Sequence, residues 1–290
     1  MSRTTIHGEF PGHKLEGAER YKRLYHFTSF DAFVKIWLSK TLRFGPVYNV
    51  NDIQEIKDSV SITDVRQMPL MYAYLDVINE YKQISLTMDY DSYLCGCMST
   101  MMWGHYGDKG QGVCIQFDFD KLNIPDSCYF GPIDYVEFKP KGITLSSSMH
   151  TRQDLIRFIG QKKETLFFTK TKSWEKENEY RIISRDLSYL SVANAISAVY
   201  LTKYDSVECK YVEQLVNKAV PVKCIKFISS IEDDRAIPIL VDTEKERTQM
   251  NEFKQHPSDT ISLKASRFYE QHKGSADFPL LMDLNELMSE

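Results

Sequence analysis

Lys170-Thr-Lys-Ser-Trp174-Glu-Lys-Glu177-Asn-Glu179-Tyr180-Arg181-Ile182-Ile183 begins as a polar loop and ends as a β-branched, aromatic run. Extended backbone sends successive side chains to opposite faces, so Glu177, Glu179 and Arg181 are expected on one face and Tyr180 and Ile182 on the other. Two carboxylates and a guanidinium thereby stand together, just after Lys170 and Trp174. Such a row is either a salt-bridged solvent face or the floor of a polar cleft. Arg181 can then meet a phosphate, as can Lys170, or it can hold a Glu by a bidentate pair.

Outward from this strand at 179–184, the periodicity gives a helix over 152–168 before it, then strands at 198–202 and 222–228 around a helix over 205–218. Nearer the start, Tyr25 to Phe27 reads as a strand. Thr28 or Ser29 can cap the helix that follows, with Phe30, Phe33, Val34, Trp37 and Leu38 in phase. Leu42 to Phe44 is a short strand that Gly45-Pro46 should end, and a loop carries Asn51 and Asp52. A helix should start at Pro69 and reach Gln83, with strands at 93–98, 112–119 and 135–138. Residues 1–23 form a polar lead-in, 24–241 one domain and 242–290 a charged, partly helical tail. The class is α+β, a mostly antiparallel or split sheet with helices on its outside.

Three further clusters share the mixed character of 170–181: Tyr25-His26-Phe27-Thr28; Asn51-Asp52 with Glu55; and Ser99-Thr-Met-Met-Trp103-Gly-His105-Tyr106. In the order and spacing of all four, residues 24 to 240 resemble the bacterial family named domain of unknown function 2971. Its most specific part here is Trp174-x-x-Glu177-x-Glu179-x-Arg181. A strand-borne His, a central aromatic hydroxyl and a late Glu also make the chain similar to the ADP-ribosyltransferase fold. That resemblance implies NAD as substrate, with His26 on a ribose, Tyr106 against nicotinamide, and Glu177 or Glu179 beside the ribose. A bacterial toxin or phage-defence effector would suit it, with a macromolecular acceptor or protein partner.

The chemistry has a physical rationale. Breaking the nicotinamide bond makes an oxocarbenium-like sugar, which a nearby carboxylate stabilises while an aromatic plate holds the leaving ring. Trp103 and His105 lie close enough in sequence to share that plate with Tyr106. Trp103 and Trp174 also suit core filling. Thr28, Asn51, Asp52 and Ser99 are candidate substrate-orienting groups, although Asn and Asp in a loop also satisfy their own backbone.

Composition bounds the alternatives. Over 290 residues, 36 basic and 40 acidic side chains give a net charge of -4, and 42% of residues are hydrophobic. Nothing in these totals announces a nucleic-acid groove. No run approaches the roughly 18 apolar residues of a membrane span, and a cytoplasmic location is expected. The six cysteines read as reduced core thiols, and Cys95-Gly-Cys97 lacks zinc-site spacing, so no metal is expected. Two other functions stay open: a non-catalytic sensor that binds a nucleotide or a protein, and a Mg²⁺ nuclease using Asp52, Glu55, Glu177 and Glu179.

Overall fold

The computed structural model describes residues 21–48, 60–90, 94–138, 143–203, 206–229 and 236–242. Two compact units divide the chain, Met1–Leu240 and Val241–Glu290, and all the strands before the last belong to the first. The lead-in to residue 20, Asn51, Asp52, Glu55 and the tail from 243 lie outside the described residues.

Strand β1 (Arg23–Thr28) leads into α1 (Phe30–Ser39). The cap is Ser29, whose Oγ accepts from the Ala32 N–H at 3.3 Å. Phe33, Ile36 and Trp37 form the buried stripe, whereas Leu38 faces solvent. After β2 (Thr41–Arg43), Gly45–Pro46 does not simply end the strand; it pairs with Gln83 and Lys82 as β3. A proline fits there because an edge position needs no donor from it. The short β4 (Val60–Ser61) precedes α2 (Met68–Ile78), which begins at Met68 with Pro69 in its first turn, close to the expected start.

That helix stops at Ile78, and β5 (Lys82–Met88) follows immediately. The expected continuation to Gln83 gives way because Ile84, Leu86 and Met88 alternate with Gln83, Ser85 and Thr87 and bury one face. The expected strand at 93–98 is corrected too: Gly96–Met98 is a 3₁₀ turn, and 91–93 lie outside the described residues. The Gly96 N–H donates to buried Asp89 at 3.0 Å. A Cβ at Gly96 would stand 2.6 Å from the Met88 carbonyl and from the Tyr25 ring, so only glycine lets the chain fold back so tightly.

Ser99 caps α3 (Thr100–His105), and the turn after it returns to β6 (Val113–Asp118). Next come β7 (Tyr129–Pro132), β8 (Asp134–Val136) and β9 (Ile143–Thr144). The helix expected over 152–168 is two, α4 (Arg152–Gln161) and α5 (Lys163–Phe167), broken at Lys162. Then follow β10 (Thr169–Thr171), β11 (Glu179–Ser184), β12 (Tyr189–Ser191), β13 (Ile196–Leu201), α6 (Val207–Val216), β14 (Val222–Ser229) and β15 (Ala236–Asp242).

The main sheet runs β15-β14-β13-β6-β1-β5-β11-β7, with β3 also on β5. From β14 to β7, and for β3 on β5, the pairings are antiparallel except β13 with β14, so the α+β class with a mainly antiparallel sheet holds. One face packs on α1 and α6 through Phe33, Trp37, Leu86, Tyr180 and Val212. The other carries two separate apolar clusters, one around Tyr74, Phe158 and Phe167, the other around Tyr25, Phe27 and Trp103. All six cysteines are buried free thiols.

Candidate functional site

Strand β1 pairs with β6 along its whole length but meets β5 only at Leu24–Met88 and Tyr25–Thr87. Strand β3 takes the other end of the same β5 edge, at Gln83 and Lys82. Ile84 to Leu86 therefore has no strand partner on that edge among the described residues, and the sheet forks there. In the fork lies a cavity of about 250 Å³. Cross-strand neighbours share a face, so Tyr25, Thr87 and Glu179, aligned across β1, β5 and β11, present their side chains to it together.

At one end of the cavity is a buried chain of charges. Arg181, fully buried, donates from Nε and Nη2 to the two Glu179 oxygens at 2.8 and 2.9 Å, and from Nη1 to the Phe167 carbonyl at 2.7 Å. Lys170 Nζ lies 2.8 Å from both Glu177 Oε2 and Glu179 Oε2. The Tyr106 hydroxyl donates to Glu177 Oε1 at 2.6 Å. Two cations thus balance two carboxylates, and pairing is what makes such burial tolerable. Burial alone would raise the Glu179 carboxyl; the adjacent Arg181 and Lys170 charges outweigh it and hold the group at about 2. Of the two roles open to Arg181, the bidentate pair is the one found.

Glu177 and Glu179 do not share one extended strand, as their spacing suggested. Glu177 ends a 3₁₀ turn, and Asn178 takes a left-handed conformation (φ 46°, ψ 51°) before β11 begins. Asn178 Nδ2 anchors that bend to the Met88 and Asp89 carbonyls at 3.1 and 2.9 Å. Both carboxylates still converge on Lys170, from different supports.

His26 is half-buried in the gap, its Nδ1 3.5 Å from the Ser85 carbonyl. Burial lowers its pKa below the ordinary 6.5, so the ring is neutral at neutral pH. A His kept neutral by folding contributes stability that is complete above its unfolded pKa near 6.5 and falls as pH drops below it. The urea midpoint of the wild type should therefore fall more steeply between pH 7 and 5.5 than that of His26→Gln, as followed by circular dichroism.

Tyr106 lines the cavity, but its expected companions do not. Trp103 is core, donating to the Cys97 carbonyl at 2.7 Å and packing edge-on to Phe27 at 5.2 Å. His105 faces solvent, Ser99 serves as the α3 cap, and Thr28 ends β1 away from the cavity. Trp174 is half-buried rather than core, its ring centroid 5.6 Å from Lys170 Nζ.

Residues 102–182 match a family model. Its description is Protein of unknown function (DUF2971). No curated protein and no solved structure matches the chain. The matched segment runs from α3 into β11 and so carries Tyr106, Lys170, Glu177, Glu179 and Arg181. The opposite wall, from β1 and β5, lies outside it.

Within the matched segment, sequence reading passed over Asn178 and Tyr135, whose Oη accepts from the Glu179 N–H at 2.9 Å. Outside it, reading passed over Arg43, Gln83, Ser85 and Thr87, which also line the cavity. The strand alternation of 82–88 was the signal for the last three. For the metal reading, Lys170 holds the place between two carboxylates that a bridging cation would need. Among the described residues no group of three or more His, Cys, Asp or Glu could hold a metal, and no helix is long and apolar enough to cross a membrane.

Proposed function

We propose that the fork binds the nicotinamide-ribose end of NAD and breaks the bond between them, passing ADP-ribose to a macromolecular acceptor or to water. The observation carrying this reading is that His26, Tyr106 and Glu177, far apart in sequence, line one cavity. Its volume of about 250 Å³ lies just below the roughly 300–1,000 Å³ of pockets that enclose a whole drug-sized ligand. That suits one end of a dinucleotide. The unpartnered edge of β5 offers backbone donors and acceptors, which a carboxamide can match.

In this reaction the C1′–N bond breaks and its electron pair neutralises the departing pyridinium nitrogen. Glu177 stabilises the developing positive charge on the sugar, Tyr106 provides the ring against nicotinamide, and neutral His26 can donate to or accept from a hydroxyl. The nucleophile then adds at C1′ and releases its proton toward the Glu177 carboxylate.

A second reading, a nucleotide- or protein-binding sensor without turnover, draws support from the neutral, fully paired charge network. One experiment separates the two: thermal shift with NAD and ADP-ribose, together with chromatography of released nicotinamide. Stabilisation with release supports the enzyme. Stabilisation without release supports the sensor, and neither effect would overturn the NAD reading.

A further inference from the structure

We infer that the Arg43 end of the cleft is an anion subsite that takes the diphosphate of a nucleotide; for the ligand's other end this rests on the nucleotide reading above. Two cations line the cavity, Lys170 and Arg43. Lys170 is committed to Glu177 and Glu179. Arg43 ends β2, is exposed, and has no ion-pair or hydrogen-bond partner for its guanidinium among the described residues. Because the buried network of Lys170, Arg181, Glu177 and Glu179 sums to zero and His26 is neutral, Arg43 leaves the cavity and the network behind it with one uncompensated positive charge.

Its place along the cleft fits a long ligand. Arg43 stands two residues before Gly45, which pairs with Gln83, so continuing that antiparallel register sets it level with Ser85, whereas Glu179 pairs with Thr87. Two residues of extended strand separate those levels by about 7 Å along β5. A ribose and a diphosphate in series span that range.

The donor inventory narrows the class. A guanidinium offers only donors, in a fork that matches phosphate oxygens bidentately. In the same cavity lining, Gln83 Nε2 donates to Ser85 Oγ at 3.3 Å while its Oε1 is buried without a hydrogen-bond partner. That acceptor asks for a donor from the ligand. An anion with a hydroxyl alongside describes a phosphorylated sugar better than a bare carboxylate.

The test is calorimetric titration of the full chain with ADP, with inorganic pyrophosphate and with nicotinamide riboside, comparing wild type with Arg43→Gln and Arg43→Lys. Arg157→Ala, on the exposed face of α4, serves as control. Loss of a charge-assisted contact should weaken ADP and pyrophosphate about 10- to 100-fold in Arg43→Gln, less in Arg43→Lys, and leave nicotinamide riboside unchanged. Equal ADP affinity in wild type and Arg43→Gln would overturn the subsite, as would no ADP binding by the wild type. Arg43-dependent ADP binding in a protein that releases no nicotinamide would remove the proposed reaction and keep the subsite. Nicotinamide release with a KM for NAD indifferent to Arg43→Gln would do the reverse.

Discussion

Arg181→Met should cost the domain about 3–5 kcal/mol, the range seen when one partner of a buried ion pair is removed. The guanidinium satisfies three acceptors, the two Glu179 oxygens and the Phe167 carbonyl. Methionine fills much of the volume but donates nothing, so a buried carboxylate is left with Lys170 alone. Urea unfolding followed by circular dichroism reads the loss. The double variant Arg181→Met, Glu179→Leu should recover part of it, because removing both charges also removes the orphaned one.

Acid carries the same signature. The folded Glu179 carboxyl sits at about 2 against an ordinary 4.5, so its stabilisation is complete above 4.5 and is lost as pH falls through 2. At 1.36 kcal/mol per unit this is about 3 kcal/mol. The acid limb of the stability curve should therefore flatten in Arg181→Met. A single variant that unfolds at the wild-type urea midpoint would contradict the buried pair.

Glu177→Gln should abolish most turnover while sparing the fold. Its carboxylate is held by a phenol and an ammonium rather than by a bidentate guanidinium, and it stands beside Tyr106 at the cavity wall. Loss of one preorganised electrostatic group at a reacting centre lowers kcat by about 10²–10³-fold. Nicotinamide release should fall by that factor, with ADP-ribose binding retained and a smaller loss of melting temperature than in Glu179→Gln, because Lys170 keeps Glu179 as its partner. Glu179→Gln should behave oppositely, losing stability first and activity only with it. If the two variants exchange these phenotypes, the chemistry belongs to Glu179 and Glu177 is the support.

Much of the scaffold was legible because its signals are local. Ser29 before a 3.6-residue stripe, the apolar alternation of 113–118 and the β-branched run after Glu179 each specify an element from within it. The central strand β5 was missed although Ile84, Leu86 and Met88 alternate cleanly. The helical stripe of α2 runs up to Ile78, and without tertiary contacts a helix pattern can be extended over the start of a strand. The strand read into 93–98 failed for the converse reason: a short apolar run looks the same whether it pairs in a sheet or turns back under one, as Gly96 does beneath Tyr25.

At the site, the residue types of 170–181 could be read, but their division of labour could not. It depends on Asn178 reversing the backbone between the two Glu, and on which of them Arg181 reaches. Trp103 and Trp174 were likewise indistinguishable by type, since an indole serves a core or a cleft edge equally well. Long-range pairing decides these matters, and nothing in the local sequence encodes it.

The fork also has a mechanical consequence. Strand β1 is joined to β5 by two adjacent rungs, Leu24–Met88 and Tyr25–Thr87, whereas β5 and β11 are laced together from Lys82 to Thr87. The seam therefore has fewer rungs to resist shear than its neighbours, and rotation about those two rungs is the motion that would widen or narrow the gap, as a pair of blades does. His26, the next residue beyond the pivot on β1, would travel least in such a rotation, while Arg43 and, further out, the Lys82 end of β5 would travel more. A short contact at the pivot end and a long-reaching, flexible side chain at the other are the combination such a geometry calls for.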